Sequence, residues 1–252
     1  APGVAERWET SPDGRVWSFH LRAARWSNGA RVRAGDFVYA WRRTVDPRTA
    51  SDYAEALAPV RNALAIAEGK MAVTALGISA PDERTVRVEL TAPTPFLLSL
   101  LTKSYAYPQY EPAIRAHGED WVRPEFMVNN GAFCLQEYVI GGRVTLVKND
   151  TYWDAAQVRL QRVVYLPLDR AAQTERFFAG DLDFTESFSA EQTAWLRSRL
   201  GDQVVSAPYL GNFVLGVNVT RAPFKGNRAL RMALTLAVDR ETLVCYVRQG
   251  LY

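Results

Sequence analysis

Histidine and cysteine are nearly absent, with two of each in 252 residues. So small a supply argues against structural zinc sites, and Cys134 and Cys245 fit no metal-ligand spacing. Both cysteines sit among apolar residues and are expected as buried thiols. A disulfide is the open alternative in an oxidising compartment, if their Cα atoms come within roughly 7 Å. His20 falls on the polar face of an alternating segment, and His117 stands beside Gly118-Glu119-Asp120 in a loop-like stretch. Neither has a visible partner for acid–base work. Gly-x-Ser-x-Gly, Gly-x-Gly-x-x-Gly, phosphate-loop and calcium-loop patterns are all missing, so no cofactor or metal is expected.

Long apolar runs are lacking too, since none approaches the roughly 18 residues a membrane span needs. The first residues, Ala1-Pro2-Gly3-Val4-Ala5-Glu6, have neither the basic start nor the apolar stretch of an export leader. Either a leader has been removed or the sequence begins inside a longer chain. Charge of one sign is not concentrated anywhere: 30 Lys and Arg against 27 Asp and Glu leave a net +3. The cationic stretches Leu21-Arg22 to Arg25 and Trp41-Arg42-Arg43 are interrupted by apolar residues and read as solvated faces, so nucleic acid is not an expected partner.

What is present is ordinary globular material, 48% hydrophobic and 23% charged, long enough for one large domain or two smaller ones. Val16 to Arg22 alternates, with Trp17, Phe19 and Leu21 on one face, which predicts a half-buried strand. Asn28-Gly29 has the composition of a type I′ turn leading into Ala30 to Val32. Phe37, Trp41 and Val45 recur every four residues, predicting a helix that Asp36 helps to start and Pro47 ends. Ser51 to about Gly69 carries a second helical stripe, kinked or split at Pro59. Ile78 with Val86, Val88 and Leu90 predicts a hairpin turning at Pro81-Asp82, and Phe96 to Leu101 a short helix.

Beyond Pro112, strands are expected around Gly131 to Leu135, Val144 to Val147, Val158 to Leu166, Leu182 to Phe184 and Phe213 to Val219. Helices are expected over Ala171 to Ala179, Ala190 to Leu200 behind a Ser189/Gln192 capping box, Asn227 to Leu236, and from Asp239 onward. Strands and helices mix without a strict βαβ rhythm, so the class is mixed α/β or α+β. Seven Trp, eleven Tyr and eleven Phe are the distinctive supply. Trp8, Trp17, Trp26, Trp41 and Trp153 are expected in cores; the other reading of so many amphipathic rings is a ligand cleft.

Several segments, in order, carry a resemblance. They are Ala1 to Glu9, Trp17-Ser18-Phe19-His20-Leu21-Arg22, Trp26-Ser27-Asn28-Gly29 and Asp36-Phe37-Val38-Tyr39-Ala40-Trp41-Arg42-Arg43. Asp46-Pro47-Arg48-Thr49-Ala50-Ser51-Asp52-Tyr53, Asn130-Gly131-Ala132-Phe133 and Lys148-Asn149-Asp150-Thr151-Tyr152-Trp153-Asp154 follow. Tyr165-Leu166-Pro167, Ala222-Pro223-Phe224 and Ala237-Val238-Asp239-Arg240 complete the series. Together they resemble family 5 solute-binding proteins, the peptide receptors of ABC importers, and the Asp46 to Tyr53 stretch is similar to the oligopeptide branch.

The resemblance implies a periplasmic-binding-protein-like type II fold with an inserted additional domain, of which this sequence is a piece. By that likeness residues 1–110 are the inserted domain, 111–210 part of the first ligand-binding lobe, and 211–252 the start of the second. It implies capture of short peptides by hinge closure, delivery to membrane permease subunits, a periplasmic location, a monomer, and neither cofactor nor catalysis. Tyr53 matches a ligand-contacting tyrosine, or else is merely an apolar position at a helix start. Thr185, Glu186, Ser187 and Phe188 match a loop that partners peptide main chain, although they replace the family's usual Tyr-Asn-Asn. Tyr209, Asn212 and Phe213 match a crossing strand, with Gly211 and Val214 departing from close relatives. Two other classes remain open. One is a hydrolase using a carboxylate pair such as Asp181 and Asp183, expected on one strand face. The other is a sensory module fused to a DNA-binding domain.

Overall fold

The computed structural model describes residues 3–207, 211 and 214–247. The chain divides into two compact units, Ala1–Pro167 and Leu168–Tyr252.

In the first unit, strands β1 (Ala5–Thr10), β2 (Val16–Leu21), β3 (Ile78–Asp82) and β4 (Thr85–Glu89) form an antiparallel sheet in the order β1-β2-β4-β3. Alternation in β2 and β4 sets the register, pairing Trp17 with Val88 and Phe19 with Val86. The face bearing Phe19, Leu21, Val86 and Val88 is buried with Val38, Trp41 and Val45 of helix α1 (Ala34–Val45). Asp36 sits at the third position of α1, where its carboxylate accepts the Arg33 amide at 2.8 Å and satisfies a donor the helix itself leaves open. Trp41 is anchored at both ends: its ring is buried and its indole N–H donates to the Ala106 carbonyl at 3.0 Å.

The helical stripe after Ser51 is split at Pro59, one of the two forms expected of it, into a 3₁₀ turn Ala54–Leu57 and helix α2 (Ala63–Ala67). Between them the Pro59 carbonyl accepts the Thr91 amide at 2.9 Å and Val60 bridges Leu90, so pairing with the sheet margin takes the segment from the helix. Asn28 does not adopt the left-handed conformation of a type I′ turn; only Gly29 does, at φ 84°. The Asn28 side chain accepts the Ala30 amide, and Ser27 N–H donates to Asn129 O at 2.7 Å, so a side-chain turn held by a distant segment replaces the hairpin. Likewise Pro81-Asp82 lies within β3, and the chain turns at Glu83-Arg84 with Asp82 accepting the Arg84 amide.

Helices α3 (Leu97–Leu100) and α4 (Glu111–His117) lead to a second sheet, the meander β5 (Phe133–Tyr138), β6 (Val144–Lys148) and β7 (Arg162–Tyr165). His117 therefore ends a helix rather than sitting in a loop, its ring stacked on Phe126. This region packs on the earlier residues: Thr151 Oγ1 donates to Trp26 O at 3.1 Å, and the Arg22 guanidinium lies 3.8 Å above the Trp153 ring. Trp8, expected in the core, is 39% exposed on edge strand β1.

The second unit holds α5 (Arg170–Ala179), α6 (Thr193–Leu200), α7 (Arg228–Ala237) and the short α8 (Arg240–Thr242). Asp169 caps α5 through the Ala172 amide, and Gly180 at φ 81° ends it, its left-handed backbone letting Asp181 N–H reach the Arg176 carbonyl. Leu182 to Phe184 is a bend and not a strand, and the described part of the other expected strand, Val214 to Val219, pairs with no described residue. Both cysteines are free; Cys134 is half-buried, and Cys245, expected buried, is exposed.

Candidate functional site

Tyr53 is positioned by a relay of local bonds. Asp46, held below the ordinary carboxylate range by its hydrogen bonds from Arg48, caps the 3₁₀ turn Pro47–Thr49. Ala50 then takes a left-handed φ of 49°, a conformation that disfavours any residue with a Cβ, and Ser51 Oγ accepts the Tyr53 amide. Leu57, buried in the core, fastens the turn that follows. The Tyr53 ring is left 56% exposed and stacked on Tyr105, with centroids 5.7 Å apart and planes at 27°. Tyr53 does stand at a helix start, as the N-cap of the 3₁₀ turn Ala54–Leu57, with its ring exposed. Tyr105 escaped the sequence reading; its only signal was an aromatic placed just before the proline cluster. It is held by the turn Ser104–Ala106, whose Ala106 carbonyl is the acceptor for Trp41. The exposed Tyr53 ring thus rests on a half-buried Tyr105 packed against the core, a surface able to stack against a ligand side chain.

Thr185, Glu186, Ser187 and Phe188 lie in the second unit, on the irregular segment between α5 and α6. Glu186 is exposed and the other three are half-buried. From Leu182 to Phe188 no main-chain amide or carbonyl is hydrogen-bonded to another described residue. Backbone donors and acceptors in that state are what an extended peptide pairs with. Tyr209, Asn212 and Phe213 lie outside the described residues. Asp181 and Asp183 are exposed and on no strand, so they share no strand face.

A cavity of about 500 Å³ opens between α5 and α6 of the second unit, flanked by Phe178 and Trp195, whose rings are 5.2 Å apart, with Arg199 above Trp195. Among the described residues no group of three or more His, Cys, Asp or Glu is arranged to hold a metal, and no helix is long and apolar enough to cross a membrane.

Mixed α/β units of this form, with an exposed stacking ring and unpaired main chain, have the architecture of the periplasmic-binding-protein-like fold, here in part. A crystal structure of Haemophilus influenzae OppA in complex with RPPGFSPFR superposes with a TM-score of 0.93 at 37% identity, over 99% of this chain and 50% of that one. The profile for bacterial extracellular solute-binding proteins, family 5 Middle, matches residues 1–252, and the chain belongs to that family. It is similar to the Escherichia coli periplasmic murein peptide-binding protein MppA, 38% identical over 243 residues that cover 95% of this chain and 45% of the relative. It is as similar to the probable deoxycholate-binding periplasmic protein YgiS of the same organism, at 39% over 244 residues, covering 95% and 45%. The chain thus spans about half the length of the relatives it matches.

Proposed function

We propose that this chain is part of a periplasmic receptor that captures short oligopeptides and delivers them to the permease subunits of an ABC importer. The observation carrying this reading is the superposition of nearly the whole chain on a relative crystallised with a peptide. In this reading residues 1–110 are the inserted domain, 111–210 part of the first lobe, and 211–252 the start of the second. Tyr53, with Tyr105 behind it, offers an apolar platform to a peptide side chain. Thr185 to Phe188 contributes main-chain partners, and Tyr209, Asn212 and Phe213 are included on the strength of the resemblance alone. Gripping main chain and leaving side chains in roomy, hydrated pockets gives affinity with little sequence preference. The protein acts as a monomer and transforms nothing.

Calorimetry on the full-length protein with mixed tri- to pentapeptides tests this. Dissociation constants of about 0.1 to 10 μM are expected, and an absence of heat with every pool would reject the reading. The resemblance to YgiS supports a second reading, a bile-acid-like amphiphile as ligand. Heat with deoxycholate and none with peptides would establish it instead.

A further inference from the structure

Arg42 and Arg43, which the sequence presents as an unremarkable solvated pair, line a groove of about 880 Å³ on the first unit. Its walls come from α1, the turn after it, the segment before β3, β3 itself and the start of α4. Four arginines and two carboxylates border it. The two carboxylates are engaged: Asp46 holds Arg48, with a closest approach of 2.7 Å, and Glu111 holds Arg115 at 2.6 Å. That leaves Arg42 and Arg43, neither of which has a carboxylate within ion-pair distance among the described residues. Arg42 donates one N–H to the Thr74 carbonyl at a long 3.3 Å, while its Nε is shut off from solvent with no hydrogen-bond partner. Arg43 reaches Gln109 Oε1 at 3.5 Å and stands 6.0 Å from the Trp121 ring.

Both arginines line one groove without a carboxylate partner among the described residues, so their positive charge there is uncompensated, and the buried Arg42 N–H without an acceptor adds to the cost. Placement in the last turn of α1 offsets some of this, since the helix carbonyl end favours cations, but it supplies no acceptor for Nε. The N–H groups that face the groove can take an oxyanion, because a guanidinium binds carboxylate or phosphate oxygens through paired, charge-assisted hydrogen bonds. Tyr39, Thr49 and Ser79 add hydroxyl groups to the same lining. Burial holds the Tyr39 phenol above its ordinary value, against the opposing pull of Arg43, so it stays a neutral donor.

We propose that this groove is an oxyanion-binding site, separate from the peptide site, which takes a phosphate group through Arg42 and Arg43. Such a group reaches it either free in solution or borne on the headgroup of an anionic lipid. The two sources share one chemistry and are told apart by the assay.

The test uses the full-length protein. Calorimetry with inorganic phosphate and with glycerol 3-phosphate measures the free form, and sedimentation with phosphatidylglycerol vesicles, against phosphatidylcholine vesicles, measures the borne form. Saturable binding in at least one arm is expected, weakened on the order of tenfold or more by the double variant Arg42→Gln/Arg43→Gln. Arg42→Lys should fall between, and Arg48→Gln should change little because its charge is already paired. Peptide affinity and the thermal midpoint of Arg43→Gln alone should match the parent, which separates loss of this site from loss of fold or of the peptide reading. No binding in either arm up to about 10 mM phosphate, or binding that the double variant leaves intact, overturns the proposal.

Discussion

Asp36 ties the start of α1 to the loop beside it, since its Oδ2 accepts both the Arg33 amide at 2.8 Å and the Trp26 indole at 3.0 Å. Burial nevertheless outweighs these bonds and raises its pKa above the ordinary aspartate value. A raised folded-state pKa means the fold favours the protonated form. Its contribution is therefore complete below about pH 3.9 and is lost as pH rises through the folded value. Asp36→Asn lacks that loss. Urea midpoints at about pH 4 and about pH 7 should show the variant gaining on the parent at the higher pH, and a pH-independent difference would refute the assignment. The Tyr53–Tyr105 pair gives a second expectation. Tyr53→Ala in the full-length protein should weaken peptide binding about tenfold while costing less than about 1.5 kcal/mol of stability, because the ring is more than half exposed. Equal peptide affinity in variant and parent would remove Tyr53 from the site. Sequence alone could single out Tyr53, by its place at the end of the Asp46 stretch, but not Tyr105, whose partner lies 52 positions away and is met only through the fold.

Secondary structure was legible where the periodicity was local. β2, β4 and α1 follow from alternation or four-residue recurrence, and the end of α5 and the start of α7 follow from Gly180 and Asn227. It was illegible where a distant segment competes, as when Asn129 holds Ser27 in place of a type I′ hairpin. A close approach shows the same competition. Gly77 donates to Arg61 O and its carbonyl accepts from Glu89 N, so a Cβ there would sit 2.6 Å from the Glu89 carbonyl oxygen and 2.7 Å from Arg61 Cβ. Gly77→Ala is expected to destabilise the first unit by about 1 to 3 kcal/mol in denaturant titration. At α7 the Asn227 side chain accepts the Leu230 amide at 3.0 Å. Its replacement by alanine should cost about 1 kcal/mol and lower helicity over Arg228–Ala237, read by amide hydrogen exchange.

For the molecule as a whole, family and fold class were readable from the collinear segments, while the site was not. Its proposed residues fall in both compact units and in positions outside the described residues, and no periodicity reports which of them meet. The chain covers about half of each relative, and in the proposed reading the peptide contacts are shared with residues beyond these 252. The isolated 252 residues are accordingly expected to bind peptide at least about 100-fold more weakly than a full-length protein, and a dissociation constant near 1 nM for them would contradict this.

The strand order of the first sheet bears on the order in which its seams can form as the chain is made. β1 and β2 are neighbours in both space and sequence, and so are β3 and β4, but the seam β2–β4 joins Val16 to Glu89. A vectorially emerging polypeptide thus makes its first hairpin at once and then carries an open flank until the remaining pair arrives. The meander β5-β6-β7 has no such wait, since each strand meets its predecessor. The interval between those two events is when this part of the chain most needs protection from pairing with a stranger.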